Sequence, residues 1–385
     1  MAEPNGGLST GQKSFARRDD IRQNFDSIAA ALKLTAKNIN DFTGERSNAG
    51  RSLRGHIPVL SGGICGKPLP FLHQKNAAKR FLNGLLSLFN DDDMAAFAKG
   101  GGTWAVLAPA GRFDFPSQML RARFSLPWNQ KKMNIVSLNR PMGKVVSHLN
   151  ELSPAAIIAY PSVLLRLAKE SEEKRLNFSP AFIISWGELL SPREWQYISR
   201  AFGCPLRDVY ISAEGAFAAK CDHGSFHALG GCDLAPSADG RLLLSADINK
   251  ALYLSDYATG DMAKAAADCG CGNKDGFILY GKEDDFIRIF GKTIAPQALS
   301  DVMDRLEPEG AKKVERYQIT QADDHTLAVA LSCPEGERVL LFKKAMAALD
   351  GLLEGMGIEG VRIALSGQPP APHKRSGKFR KVIGR

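Results

Sequence analysis

Between residues 104 and 211, short apolar runs alternate with amphipathic helical stretches, and this alternation constrains the fold more than any other feature of the chain. WAVLAP (104–109), IVSL (135–138), AAIIAY (155–160), AFIIS (181–185) and LRDVYI (206–211) read as strands. VVSHLNEL (145–152), SVLLRLAKESEEK (162–174) and PREWQYISRAF (192–202) lie between them with helical periodicity. Parallel neighbours must be joined by a crossover, usually a helix. The pattern predicts a largely parallel sheet with helices on both faces.

The flanking segments read differently. Residues 1–14 are polar and glycine-rich and are expected to be mobile. Residues 15–38 read as helical, with Phe15, Ile21, Phe25, Ile28 and Leu32 at helical spacing. IPVL (57–60) reads as a strand, SGGICGKP (61–68) as a Gly-rich loop, and a helix is expected to begin near Leu72. From 221 to 290, short strands with frequent Gly and Asp predict an antiparallel or barrel-like region. From 293 onward, helices alternate with strands as in a small α+β domain. The expected fold class is α/β. It has a large N-terminal domain (1–282) with mostly parallel sheets and a small barrel-like region, and a small mobile α+β C-terminal domain (283–385).

The 385 residues, 44% hydrophobic and 24% charged, suit a soluble globular chain of this organisation. No run of about 18 apolar residues is present, so no membrane span is expected. The N-terminus has no apolar core of a signal peptide, and a cytoplasmic protein is expected. The formal charge of +9 weakly favours a polyanionic ligand. Part of it sits in the tail HKRSGKFRKVIGR (373–385), which is either a solvated end or a reach toward a nucleotide, a CoA phosphate or nucleic acid.

Seven cysteines, in a reducing compartment, are expected as thiols or metal ligands. CDHGSFH (221–227) and CGC (269–271) together offer Cys221, His223, His227, Cys269 and Cys271, the thiolate and imidazole donors that zinc prefers. Cys65, Cys204, Cys232 and Cys333 are assigned to packing. Trp104, Phe113, Phe115, Met119 and Trp128 read either as core or as the lining of an acid pocket.

Further motifs carry chemistry. In SGGICGKP, backbone N–H groups of a Gly-rich turn can close on phosphate oxygens, and Lys67 adds charge. It is not a P-loop, because no second Gly stands at the required spacing and no Ser or Thr follows the lysine. SWGELLSPREW places Glu188, and DVYISAEGA places Glu214, at the carboxyl ends of strands, where parallel sheets bind ligands. Each is otherwise a cap or a surface acid. In YATGDMA, Asp261 follows a tight turn and suits capture of ribose hydroxyls. YGKEDDFIRIFGKTIAP (280–296) falls on the domain junction, and SGKFRK (376–381) carries Lys378.

In this order, over roughly residues 55–385, the motifs resemble those of the adenylate-forming superfamily, in detail the phenylacetate–CoA ligase and coenzyme F390 synthetase subgroup. The resemblance implies activation of a carboxylic acid, aromatic acids being favoured, with ATP as acyl-AMP. Transfer would follow to the thiol of CoA or of phosphopantetheine on an acyl carrier protein. It implies that Ser61, Gly62, Gly63, Gly66 and Lys67 contact the ATP phosphates, and that Glu188, Tyr210 and Ser212 line the nucleotide site. Glu214 would hold Mg2+, Asp261 the ribose, and Lys282 would lie near ribose and phosphate. Asp284 would be the hinge for rotation of the small domain, and Lys378 the catalytic lysine. By the same match, Cys221, His227, Cys269 and Cys271 would hold a structural zinc, and a homodimer is common. Two departures stand out: Gly62, Ile64 and Cys65 occupy positions where the family loop, SSGTTGKP, has hydroxyls, and Asp256 replaces an arginine. Transfer of AMP to a hydroxyl, acyl transfer to an amine, a non-catalytic binding protein and nucleic-acid binding by the tail are the alternatives.

Overall fold

The computed structural model describes residues 12–61, 68–109, 113–125, 131–266, 268–306, 314–373 and 377–385. The chain forms two compact units. The larger comprises Met1–Thr259, Lys264–Ile278 and Arg375–Gly377, and the smaller Gly260–Ala263, Leu279–Lys374 and Lys378–Arg385.

The larger unit begins with β1 (Lys13–Phe15), α1 (Arg18–Gln23), α2 (Phe25–Ala31) and α3 (Ala36–Gly44). The helical reading of 15–38 holds for most of the segment, but as separate helices preceded by a short strand. The chain breaks near Asn24 and at Lys33, whose φ of 58° no helix tolerates, and Thr35 restarts it with a capping box to Asn38. Next come β2 (His56–Leu60) and β3 (Pro70–Gln74), an antiparallel pair with Leu60 opposite Pro70. The helix expected near Leu72 is therefore a strand. Phe71, Leu72 and His73 are all buried, which an extended segment sandwiched on both faces achieves, and the helix α4 (Asn76–Leu86) starts only after it.

The chain continues into α5 (Asp91–Lys99), and the alternating region then forms β4 (Trp104–Ala108), α6 (Phe115–Arg123), β5 (Met133–Ser137), α7 (Met142–Leu152), β6 (Ala156–Ala159), α8 (Pro161–Glu172), β7 (Phe182–Trp186), α9 (Pro192–Phe202) and β8 (Leu206–Ile211). The five strands and the helices α7, α8 and α9 are the expected ones, and α6 is an element that the pattern did not indicate. Strands β5, β4, β6, β7 and β8 lie side by side and parallel. Local sequence sets the boundaries: Ser191 and Glu194 form a capping box at the start of α9, and Gly203, at φ 62°, ends it.

The chain continues through β9 (Phe217–Lys220), β10 (Phe226–Ala228), β11 (Asp233–Pro236), β12 (Arg241–Asn249), β13 (Leu252–Ala266) and β14 (Gly276–Lys282). These strands extend the parallel part into one sheet ordered β11-β12-β13-β14-β10-β9-β8-β7-β6-β4-β5, with β1 beside β13. No closed barrel forms among the described residues. The tight turn after β8 sets Ile211 opposite Phe217, so β9 adds to the existing sheet edge instead of opening a separate layer.

The smaller unit continues through β15 (Ile287–Ile289), β16 (Lys292–Ile294), α10 (Pro296–Asp304), β17 (Arg316–Gln321), β18 (Thr326–Ser332), α11 (Arg338–Gly355), β19 (Arg362–Leu365) and β20 (Val382–Ile383). Its sheet runs β19-β18-β17-β20. Ile319, Leu327 and Val329 on the strands bury against Leu299 of α10 and Leu341, Ala345 and Leu349 of α11. Positions 341, 345 and 349 repeat every four residues, which places them on one face of a helix. No helix of the described residues is long and apolar enough to cross a membrane.

Candidate active site and metal centre

The carboxyl ends of β6, β7 and β8 are neighbours, and those of β7 and β8 open into motifs singled out above. After β6 comes Tyr160-Pro161, with the proline at the first turn of α8. After β7 the chain turns at Gly187, whose φ of 78° favours glycine, and presents Glu188. Glu188 accepts from the Ser162 backbone N–H at 2.9 Å and from the Ser162 hydroxyl at 3.0 Å. Both oxygens of Glu188 thus tie the end of β7 to the start of α8, where a carboxylate also meets the positive end of the helix dipole.

After β8, residues 212–216 form the turn that carries Glu214. Ser212 N–H donates to the Ala216 carbonyl at 3.1 Å, and Gly215 adopts φ 94°. A Cβ on Gly215 would stand 3.2 Å from the His73 ring, a tight contact that adds to the preference for glycine set by φ. Glu214 is buried. Burial first, and then the Glu214 carboxylate, hold the Tyr257 phenol well above its ordinary value, and the two side chains share a hydrogen bond. Tyr210, on β8, packs edge-on against Phe277.

Three further side chains contribute from distant segments. His73 Nε2 lies 2.8 Å from the Ala213 carbonyl. Burial lowers the His73 pKa to about 4, so the ring is neutral and donates this bond. Tyr257 comes from β13. Arg18 comes from α1, and its Nη2 lies 2.6 Å from the Ser61 hydroxyl. Arg18 and His73 have no local sequence signal, each being a single residue from a distant segment, whereas Tyr257 opens the YATGDMA motif, in which the sequence pointed to Asp261.

Ser61 is buried at the start of the Gly-rich segment, and its hydroxyl also accepts from the Leu69 N–H at 2.8 Å. Gly62, Gly63, Gly66 and Lys67 lie outside the described residues, as do Ile64, Cys65 and Trp128. Trp104, Phe113, Phe115 and Met119 are almost wholly buried. Trp104 packs on Phe97 and Phe182, and Phe115 on His73 and Phe81, which makes them core. Asp256 is exposed, with φ 48°, so the reversed charge sits on the surface.

Within the smaller unit, Lys282 Nζ lies 3.0 Å from Asp261 Oδ1, with the Asp261 side chain 13% exposed. Asp284 accepts from Arg380 through its backbone carbonyl at 3.3 Å. The side chain of Arg380 pairs with the next residue, Asp285, whose carboxyl is pushed up by burial and drawn back by that arginine. Lys378 is half-buried, and its carbonyl accepts from the His373 N–H at 2.8 Å.

Four donors converge at the far end of β10. The ligating atoms of Cys221, His227, Cys269 and Cys271 all lie within 4.8 Å of one another. Cys221 Sγ is 3.3 Å from Cys269 Sγ, and Cys271 Sγ is 3.3 Å from His227 Nε2. Zinc–sulfur bonds of about 2.3 Å in a tetrahedron place sulfurs about 3.8 Å apart, so the donor set fits zinc. The backbone N–H of Cys271 helps bring the Cys269 thiol down to about 6, toward the thiolate that a metal requires. His223 is not in the cluster. It packs on Gly270, where a Cβ would meet its Nδ1 at 2.7 Å.

No family model matches the chain. A 108-residue segment is 28% identical to Protein CapK of Staphylococcus aureus, covering 24% of this chain and 24% of that protein. Among solved structures, 2-hydroxyisobutyryl-CoA ligase in the postadenylation state, in complex with 2-HIB-AMP, superposes with a TM-score of 0.60 at 16% identity, over 100% of this chain and 80% of that one. O-succinylbenzoate coenzyme A synthetase from Bacillus subtilis, in complex with ATP and magnesium ion, superposes with a TM-score of 0.55 at 16% identity, over 84% and 68%. With its parallel strands continued by an antiparallel half and its smaller α+β unit, the chain has the fold of the adenylate-forming CoA ligases.

Proposed function

We propose that this chain activates a carboxylic acid with ATP and transfers the acyl group to a thiol, as phenylacetate–CoA ligases do. The observation that carries the reading is the buried Glu214, held at a strand end by Tyr257 and by the His73–Ala213 bond. A buried carboxylate is costly unless something uses its charge, and a nucleotide-bound magnesium ion would do so. A carboxylate has about four acceptor sites and the hydrogen bond with Tyr257 uses one of them, so the residue type fits as ligand. Magnesium bound there supplies charge neutralisation to the phosphates.

In the first half-reaction a carboxylate oxygen of the acid attacks the α-phosphorus, and the bond from that phosphorus to the bridging oxygen breaks. Acyl-AMP forms and pyrophosphate leaves. Negative charge spreads over the phosphoryl oxygens, and Lys378 and Lys282 supply the opposing charge. Asp261 takes the ribose hydroxyls, with Lys282 beside it. Glu188 holds the β7 end and the α8 start in register, and Ser212 and Tyr210 frame the Glu214 turn. In the second half-reaction the sulfur of CoA or of a carrier's phosphopantetheine attacks the acyl carbon, and AMP leaves. Rotation about Asp284 exchanges the two settings. Cys221, His227, Cys269 and Cys271 would hold a zinc with no open position, a structural role.

An acid panel assayed for pyrophosphate release, with and without CoA, tests this. Release that depends on one acid, with thioester formed when CoA is added, is expected. No release with any acid, under conditions where ATP binds, would refute the ligase.

A further inference from the structure

Resting on the nucleotide reading above, we propose that Arg18 binds the phosphates that leave as pyrophosphate, acting together with the hydroxyl of Ser61. The segment bearing Arg18 has a fixed base. Strand β1 pairs with β13, Phe15 opposite Leu254, the Ala258 N–H donates to the Ala16 carbonyl at 3.1 Å, and Ile21 of α1 is buried. From there the guanidinium crosses to Ser61, 43 positions away, at 2.6 Å.

Ser61 then has a constrained hydroxyl. Its oxygen accepts from both Arg18 and the Leu69 N–H. A hydroxyl has two lone pairs and one hydrogen. With both lone pairs engaged, the hydrogen is left to donate, and the adjacent positive charge makes it a better donor. A guanidinium fork beside such an O–H matches the oxygens of a phosphate group.

The surroundings point the same way. The charge of Arg18 also reaches Tyr257, the partner of Glu214, so cation, hydroxyl donor and candidate magnesium ligand belong to one neighbourhood of the larger unit. The acid that shares it from α1, Asp19, is exposed. The sequence between Ser61 and Pro68 contains Lys67 but no side-chain hydroxyl, so any hydroxyl donor to a polyphosphate comes from outside that stretch, as Ser61 does.

Calorimetry with ATP, AMP and inorganic pyrophosphate, each with Mg2+, on wild type and Arg18→Ala decides the matter. Arg18→Ala is expected to weaken ATP and pyrophosphate about tenfold to a hundredfold, the range for a charge-assisted contact, and to leave AMP unchanged. If Arg18→Ala does not fold, Arg18→Lys carries the test: it keeps the charge but loses the fork, and must lose affinity for pyrophosphate and not for AMP. Unchanged ATP affinity, or equal losses for ATP and AMP, would overturn the assignment, as would a wild type that binds neither ATP nor pyrophosphate. A wild type that binds pyrophosphate through Arg18 yet forms no acyl-AMP with any acid would support Arg18 and sink the ligase reading alone.

Discussion

His73 and Ala213 are 140 positions apart in sequence and joined at 2.8 Å, imidazole Nε2 to carbonyl oxygen. The bond lets a hairpin strand hold the turn that carries Glu214. It also makes the protein acid-sensitive in a defined window. The native ring titrates at about 4, whereas an unfolded histidine titrates near 6.5. Between those values the unfolded chain takes a proton that the native one refuses. Stability therefore falls as pH drops through this window, by about 3 kcal/mol in all. His73→Gln should be less stable than wild type at pH 7, and the gap should narrow toward pH 4 in urea unfolding. A gap constant with pH would mean that the native ring is not held neutral.

Asp208, buried on β8, behaves in the opposite sense. It accepts from the Ser185 hydroxyl at 3.0 Å, and burial pushes its carboxyl up to about 7 against the pull of Lys220 and Ser185. The native state keeps a proton that the unfolded chain sheds above about 4. Its contribution therefore falls as pH rises from about 4 to 7. Asp208→Asn, neutral throughout, should gain on wild type across that range, on the order of 4 kcal/mol in all. Urea unfolding at both ends of the window measures it, and equal pH dependence of the two proteins would contradict it.

Purified protein should contain one zinc per chain, and Cys269→Ser should lower that content sharply. Gly276→Ala tests the geometry more gently. A Cβ there would meet His227 Cε1 at 2.9 Å, so the imidazole must move. Metal analysis and a chromogenic zinc-release assay should show weaker retention in Gly276→Ala. Undiminished zinc in Cys269→Ser would remove that residue from the ligand set.

Ser162→Ala removes the hydroxyl bond to Glu188 but spares the backbone one, and should cost about 1 kcal/mol. Glu188→Ala removes both and should cost about 1–2 kcal/mol, in the range of lost helix caps. If Glu188→Ala unfolds in denaturant at the same midpoint as wild type, the carboxylate is not supporting α8.

Lys378→Ala should reduce pyrophosphate release by about a hundredfold or more, the scale for losing a group that stabilises transition-state charge. Thioester formation from preformed acyl-AMP should persist. A variant that adenylates at the wild-type rate would exclude the role.

Periodicity made the five strands of the parallel half and its helices α7, α8 and α9 readable, because each shows its pattern within about a dozen residues. The helix α9 runs over 192–202 as its pattern indicates, since a capping box and a terminal glycine mark both ends locally. The segment 70–74 was not readable in the same way. A short apolar run fits a buried strand or a helix start equally well, and only pairing with 56–60 decides it.

From the sequence alone came the alternating strand–helix order, the placement of Glu188 and Glu214 at strand ends, and the choice of Cys221, His227, Cys269 and Cys271 as a donor set. Those are local patterns or fixed spacings, carried by residue type. Only the tertiary structure brought His73 to Ala213, Tyr257 to Glu214 and Arg18 to Ser61, and set one open sheet in place of a barrel. Such contacts join segments tens to hundreds of residues apart. They exist because burying the apolar strands fixes where the rare polar side chains among them must find partners.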